Sequence, residues 1–274
     1  VQPGLKYSNM RPAGGVDLSL VGYRAVDAGP RKTEVENLSS RFLVGLRGDL
    51  GGWDWDSALL YTRADSEDKE NRVSNTLFQQ ALGRSTPDAY NPFNGGCLSD
   101  LQNGDCTPTS ASTIRDITVS VYRRNATSLA SWDAKVSRPD LFAMWAGDVG
   151  VAAGVEVRRE TFKDDRDPRL DGTITFVDSI SGLTASDVMG QSGTLDTEGA
   201  RNVQSAFVEF AVPLVSPDMN IPLVQSIDMQ LAVRHENFDE FGGVTKPKVA
   251  LSWRPADFLL FRSAWSEGFR APNL

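Results

Sequence analysis

Histidine and cysteine are almost missing: His235, Cys97 and Cys106 are the only ones in 274 residues. That leaves little for a histidine- or cysteine-based metal site, whose ligands must converge. No Ser-His-Asp order and no glycine-rich phosphate loop of recognised spacing is present, so nucleophilic and phosphoryl-transfer chemistry have no residues to rest on. Positive charge is also short. Lys and Arg number 28 against 36 Asp and Glu, a net charge of -8, whereas binding to phosphate backbones requires a basic surface. No nucleic-acid partner, cofactor or enzymatic activity is therefore expected. An apolar run of roughly 18 residues is absent too, which excludes a transmembrane helix. It does not exclude a membrane strand, in which only alternate residues face lipid.

What the chain does have is alternation with a period of two, the signature of strands. Trp53, Trp55, Ser57, Leu59 and Tyr61 share one face, and Asp54, Asp56, Ala58, Leu60 and Thr62 the other. Aromatic residues at both ends of one face suggest girdles at two membrane interfaces. Further runs are read at 16–26, 32–47, 122–137, 149–163, 202–212, 228–238 and on either side of Arg254-Pro-Ala-Asp257, with Pro139–Met144 as a connection. The expected fold is all-β, an antiparallel meander of about nine strands. Two long stretches lose the period, at about 64–121 and 164–199. An even number of strands separates them, so a meander puts both on one side and the short turns on the other, the pattern of outer-membrane barrels.

Cys97 and Cys106 sit among Gly, Asn and Asp, where a loop disulfide in an oxidising compartment is expected, with two free thiols as the alternative. Asp164, Asp165, Asp167 and Asp171 offer oxygens for Ca²⁺, but without the spacing of a calcium loop they read as a solvated acidic segment. Asp54 and Asp56 follow the polar face of a strand rather than forming a catalytic pair.

The closing stretch, from Trp253 through Ser266-Glu-Gly-Phe-Arg-Ala-Pro272, closely resembles the barrel of TonB-dependent outer-membrane receptors. Gly150-Val-Ala-Ala-Gly-Val-Glu-Val-Arg-Arg-Glu160 is similar to a second barrel segment of that family, with Val157 where Tyr is commoner. Gly29-Pro-Arg31, Trp53-Asp-Trp55 and Asn91-Pro-Phe93 are weaker similarities of the same kind. The resemblance implies a barrel of about 22 strands around an N-terminal plug, and uptake of a scarce nutrient driven through the TonB complex. No plug or TonB-contacting segment is visible, and nine strands are too few to close such a barrel. Residues 1–274 are thus expected to be an interior part of the barrel of a bacterial outer-membrane receptor.

The implied partners are outer-membrane lipid, a small-molecule or oligosaccharide substrate (iron chelate, cobalamin or oligosaccharide), and TonB through the plug. Alternation points Arg234, Glu236, Arg254 and Arg262 to the lumen, because a charge facing lipid near the midplane costs about 2–4 kcal/mol. Glu267 and Arg270 lie in the family-like loop. All six are candidates for plug or substrate contact. The alternatives are a passive porin-type barrel and a soluble glycan-binding β-protein, the latter requiring Leu20, Leu59 and Val208 in one dry core between two sheets.

Overall fold

The computed structural model describes residues 23–93, 108–178 and 181–273. Strands dominate: β1 Thr33–Leu50, β2 Trp53–Val73, β3 Thr118–Met144, β4 Gly147–Arg166, β5 Thr175–Val177, β6 Thr184–Ser186, β7 Thr197–Val215, β8 Ser226–Phe238, β9 Gly242–Ala256 and β10 Leu259–Ser266. Eight of them form one sheet in the order β1-β2-β3-β4-β7-β8-β9-β10, and β5 pairs with β6 alone. The expected antiparallel meander is what the chain forms.

Of the sequence-based strands, 16–26 falls mostly outside the described residues, and the rest have counterparts in the sheet. Residues 16–22 lie outside the described residues, and Val26–Ala28 is a 3-10 turn. Tyr23 instead packs locally, its ring stacked on Phe78 at 5.5 Å. Pro139–Met144 is not a connection but the end of β3. Ser57 Oγ donates to the Asp133 carbonyl at 2.9 Å, which brings the β1–β2 turn level with Arg138. Pro139 lies past that turn, where β3 is an edge, and edges tolerate a residue without an N–H. The turn itself is Gly51-Gly52, both at positive φ (62° and 80°), the backbone that a two-residue hairpin with right-handed twist requires.

The irregular stretches are shorter than the period suggested. β2 runs to Val73 and β3 begins at Thr118, while β4 ends at Arg166 and β7 begins at Thr197. The charged run 66–72 is strand because its charges pair along and across the ladder: Lys69 with Glu67 at 2.8 Å, Arg72 with Glu70 at 2.8 Å and Arg124 of β3 with Glu67 at 2.8 Å. Both faces there are polar, so no apolar alternation marks it.

The described residues divide into two compact units. The first takes in the described residues of Val1–Asn37, Ser66–Asn125 and Asp164–Thr197. Its helices are α1 Asn75–Leu82, α2 Ala111–Ile117 and the short α3 Pro168–Asp171. Ser74 caps α1 through Leu77 N–H, and Ser110 caps α2 through Thr113 N–H, satisfying donors that a helix start leaves open. Phe78, Ala81, Tyr90 and Ile117 form one buried cluster, and Val121, Leu170 and Val188 a second. Asp187, 2% exposed, ties the unit together. It accepts Ser74 Oγ and Thr76 N–H at 2.8 Å each and Arg169 Nε at 3.2 Å.

Tyr90 is buried in this unit and bonded to Asp27 and Tyr23. Burial, reinforced by the Asp27 carboxylate, pushes its phenol above the ordinary tyrosine value. A raised folded pKa favours the protonated form. Its stabilisation is whole below the unfolded value of about 10 and fades as pH rises from there toward the folded value. Thermal unfolding followed from pH 8 to pH 12 is expected to show a steeper alkaline loss in the unsubstituted protein than in Tyr90→Phe, which has no proton to lose.

The second unit, Leu38–Asp65, Ala126–Lys163 and Glu198–Leu274, is almost all strand. At one point a side chain comes unusually close to a backbone: a Cβ on Gly154 would lie 2.5 Å from the Phe207 ring. Any larger residue there would have to displace the Phe207 ring.

Candidate functional site

In the second unit the ladder sorts side chains onto two unlike faces. Direct partners on neighbouring strands share a face. Val208 opposes Val233, Phe210 opposes Leu231, and Val212 opposes Met229 across β7–β8. Leu231 opposes Val249, Met229 opposes Leu251, and Ile227 opposes Trp253 across β8–β9. Phe261 opposes Trp253, and Trp265 opposes Val249 across β9–β10. These apolar residues face away from the protein: Leu231 is 36% exposed, Leu251 43% and Trp265 57%. Leu59, on the Trp55 and Tyr61 face of β2, is 53% exposed. No dry core joins Leu59 and Val208, and Leu20 lies outside the described residues. On β8 the apolar face runs from Ile227 to Val233, about 20 Å at roughly 3.4 Å per residue. Trp253 and Phe261 stack at 5.3 Å near one end of it.

The opposite face is charged. Arg234 and Glu236 of β8 fall directly across from Phe207 and Ser205 of β7. Arg234 Nε donates to Glu236 Oε1 at 2.9 Å, and its Nη2 to Glu156 Oε2 at 3.4 Å. Arg158 bridges Glu156 and Glu160 at 3.0 and 2.8 Å and reaches Glu236 at 4.0 Å. Arg201 donates through Nη2 and Nε to Glu160 Oε2 at 3.1 and 3.3 Å. Three carboxylates and three guanidiniums thus alternate in one network, each charge meeting an opposite one. Half-buried pairs of this kind largely offset their own desolvation and add little net stability; what the network does is neutralise a face lined with ions. Beside it, Arg47, Asp54, Asp56, Lys135, Ala152 and Phe207 line a recess of about 490 Å³, with Lys135 and Asp56 paired at 3.2 Å.

The sequence-derived candidates distribute as follows. Arg234 and Glu236 are members of the network. Arg254, opposite Ser226 on the same face of β9, donates to the Asp257 carbonyl at 3.4 Å. Arg262, opposite Ser252, belongs to the charged face of β10 and is exposed. Glu267 pairs with Lys246 at 3.2 Å, and Arg270 is exposed. Cys97 and Cys106 lie outside the described residues.

Glu156, Arg158, Glu160 and Arg201 were not singled out. The Glu-x-Arg-x-Glu spacing of 156–160 carried the signal, since residues two apart on a strand share a face. Arg201 had none, because its partner is 41 positions away.

The acidic segment is not solvated as expected. Asp164 is 3% exposed and grips Arg123 through both oxygens at 2.8 Å, with Arg166 at 2.6 Å. Asp167 caps α3 through Arg169 N–H, and Asp171 receives Thr173 N–H at 2.6 Å. These oxygens serve arginines and backbone donors. Among the described residues, no group of three or more metal-ligating side chains converges. His235 sits on the apolar face, its Nδ1 2.8 Å from Thr245 Oγ1.

The family described as TonB dependent receptor-like, beta-barrel matches residues 4–274 of the chain. No curated protein matches it.

Proposed function

Because the chain belongs to the TonB-dependent receptor β-barrel family, whose members serve receptor-type transport at the bacterial outer membrane, we propose that it forms part of the wall of a barrel that imports a scarce nutrient by energised transport. Candidate nutrients are an iron chelate, cobalamin or an oligosaccharide. The observation that carries this reading is the division of one sheet into an exposed apolar face and a paired, charged face. In a membrane barrel the first meets lipid and the second meets the lumen. Arg234 and Glu236, with Glu156, Arg158, Glu160 and Arg201, then line the lumen, together with Arg254 and Arg262. The polar network suits contact with a plug domain or a hydrated substrate, because its ions are already balanced within the face. Glu267 and Arg270 belong to the same contact surface, and energy arrives from TonB by way of the plug.

The test is uptake by cells whose only receptor of this type is the full-length protein, offered a radiolabelled ferric chelate, cobalamin and an oligosaccharide in turn. One of them is expected to accumulate, and accumulation is expected to stop when TonB is deleted. Uptake that persists without TonB would mark a passive porin and overturn the energised reading.

A further inference from the structure

After β10, the segment Glu267–Pro272 does not leave the sheet; Glu267 prolongs the β9–β10 ladder, and Phe269–Pro272 lie against the end of the charged face. Glu267 N–H donates to the Pro247 carbonyl at 3.3 Å, and its carboxylate pairs with Lys246 on β9. Phe269 then reaches β8, its ring 5.8 Å from Phe238 and 5.8 Å from Phe241, which themselves stack at 4.5 Å. Finally the Pro272 carbonyl accepts Arg201 Nη1 of β7 at 2.8 Å. Glu267 thus adds one step to the β9–β10 ladder, and from Phe269 on the segment passes over the end of β8 with its turn to β9, and then reaches β7. Phe238, two residues beyond Glu236, lies on the charged face, so the crossing covers one end of the network.

Arg201 is the unusual member. Its side chain is 9% exposed, and its guanidinium, 6.0 Å from the Phe238 ring centroid, serves two masters: Glu160 through Nη2 and Nε, and the Pro272 carbonyl through Nη1. One hydrogen bond holds the Pro272 carbonyl, where two and a full opposite charge hold Glu160. The crossing segment therefore hangs on the more exchangeable of the two attachments.

We infer that Glu267–Pro272 is a lid over the Arg201 end of the charged face, with Phe269 as its seat and Arg201 as its latch. The lid role rests on that face lining the lumen; the latch does not. Arg201 is a positioning residue, acting through the carbonyl it holds, and Arg270 rides exposed on the lid.

The experiment is tryptic cleavage after Arg270 in the full-length receptor in outer-membrane vesicles. Arg201→Ala is expected to speed cleavage about tenfold, the effect on a local opening of losing one charge-assisted hydrogen bond. Phe269→Ala is expected to act in the same direction. A disulfide between Phe241→Cys and Phe269→Cys is expected to slow cleavage, with reduction restoring the rate. Should Arg201→Ala fail to assemble, Arg201→Lys keeps the charge beside Glu160 while losing the forked geometry, and cleavage must still rise. An unchanged rate at Arg270 in an assembled variant, or an equal rise at every tryptic site, would overturn the latch. A receptor that takes up none of the nutrients offered counts against transport alone, because these rates are read without substrate.

Discussion

Leu231→Arg is expected to keep the receptor from assembling in the membrane, and Ala232→Arg is not. Leu231 lies midway along the apolar face of β8, between Phe210 and Val249. Ala232, one residue on, lies on the charged face between Glu209 and Lys248. An arginine facing lipid near the midplane costs about 2–4 kcal/mol, while one facing the lumen finds water and the Glu209 carboxylate. Adjacent substitutions of identical chemistry therefore separate by a factor of roughly 30 or more in assembled receptor, taking 1.4 kcal/mol per factor of ten. Folded fractions from heat-modifiable gel migration would measure it. Equal effects at 231 and 232 would contradict the two-faced sheet.

The second large effect belongs to Asp187→Ala. Asp187 carries no apolar surface of consequence, yet it holds the start of α1 through Thr76 N–H, the cap residue Ser74, and Arg169. Its own backbone carbonyl accepts Asn75 N–H at 2.8 Å, a bond that survives the substitution. Removing the carboxylate strands a buried hydroxyl, a backbone donor and a half-buried guanidinium. Breaking a buried charged pair from one side costs about 3–5 kcal/mol, enough to unfold a small unit of marginal stability. Proteolysis is expected to open 74–117 and 167–196 while the strands of the second unit stay protected. Asp187→Asn, which keeps one acceptor for Thr76 N–H, is expected to lose less.

These two residues also mark how far the sequence could be read. Leu231 and Ala232 announced their faces because strand alternation is local, and the same rule brought Arg234, Glu236, Arg254 and Arg262 to one side. Asp187 had no such announcement. Its partners are 113, 111 and 18 positions away, and only tertiary packing brings them together. The same holds for Arg201. Where the reading failed, it failed on composition: 66–72 is too charged to look like a strand, Pro139 too rigid to look like strand interior, and Asp164 too acidic to look buried. In each case a partner outside the local window reverses the expectation, whether Arg124, the end of a neighbouring hairpin, or Arg123.

The strand order, with sheet neighbours that are also chain neighbours except where the β5–β6 hairpin intervenes between β4 and β7, fixes a timetable for assembly. Strands joined by two residues, as at Gly51-Gly52, have almost no loop to close, whereas β2 and β3 must close 74–117. Each doubling of loop length adds about 0.6 kcal/mol of closure entropy, so that longer connection is roughly 3 kcal/mol slower to nucleate. The β1–β2 and β3–β4 hairpins and the β8–β9–β10 meander, joined by two or three residues, are then expected to form first, as separate rafts. They are expected to join once the described parts of 74–117 and 167–196 have packed around Phe78 and Val188, which shortens the effective span between strand ends. Growth of the wall is therefore paced by the parts of the chain that are least like a wall.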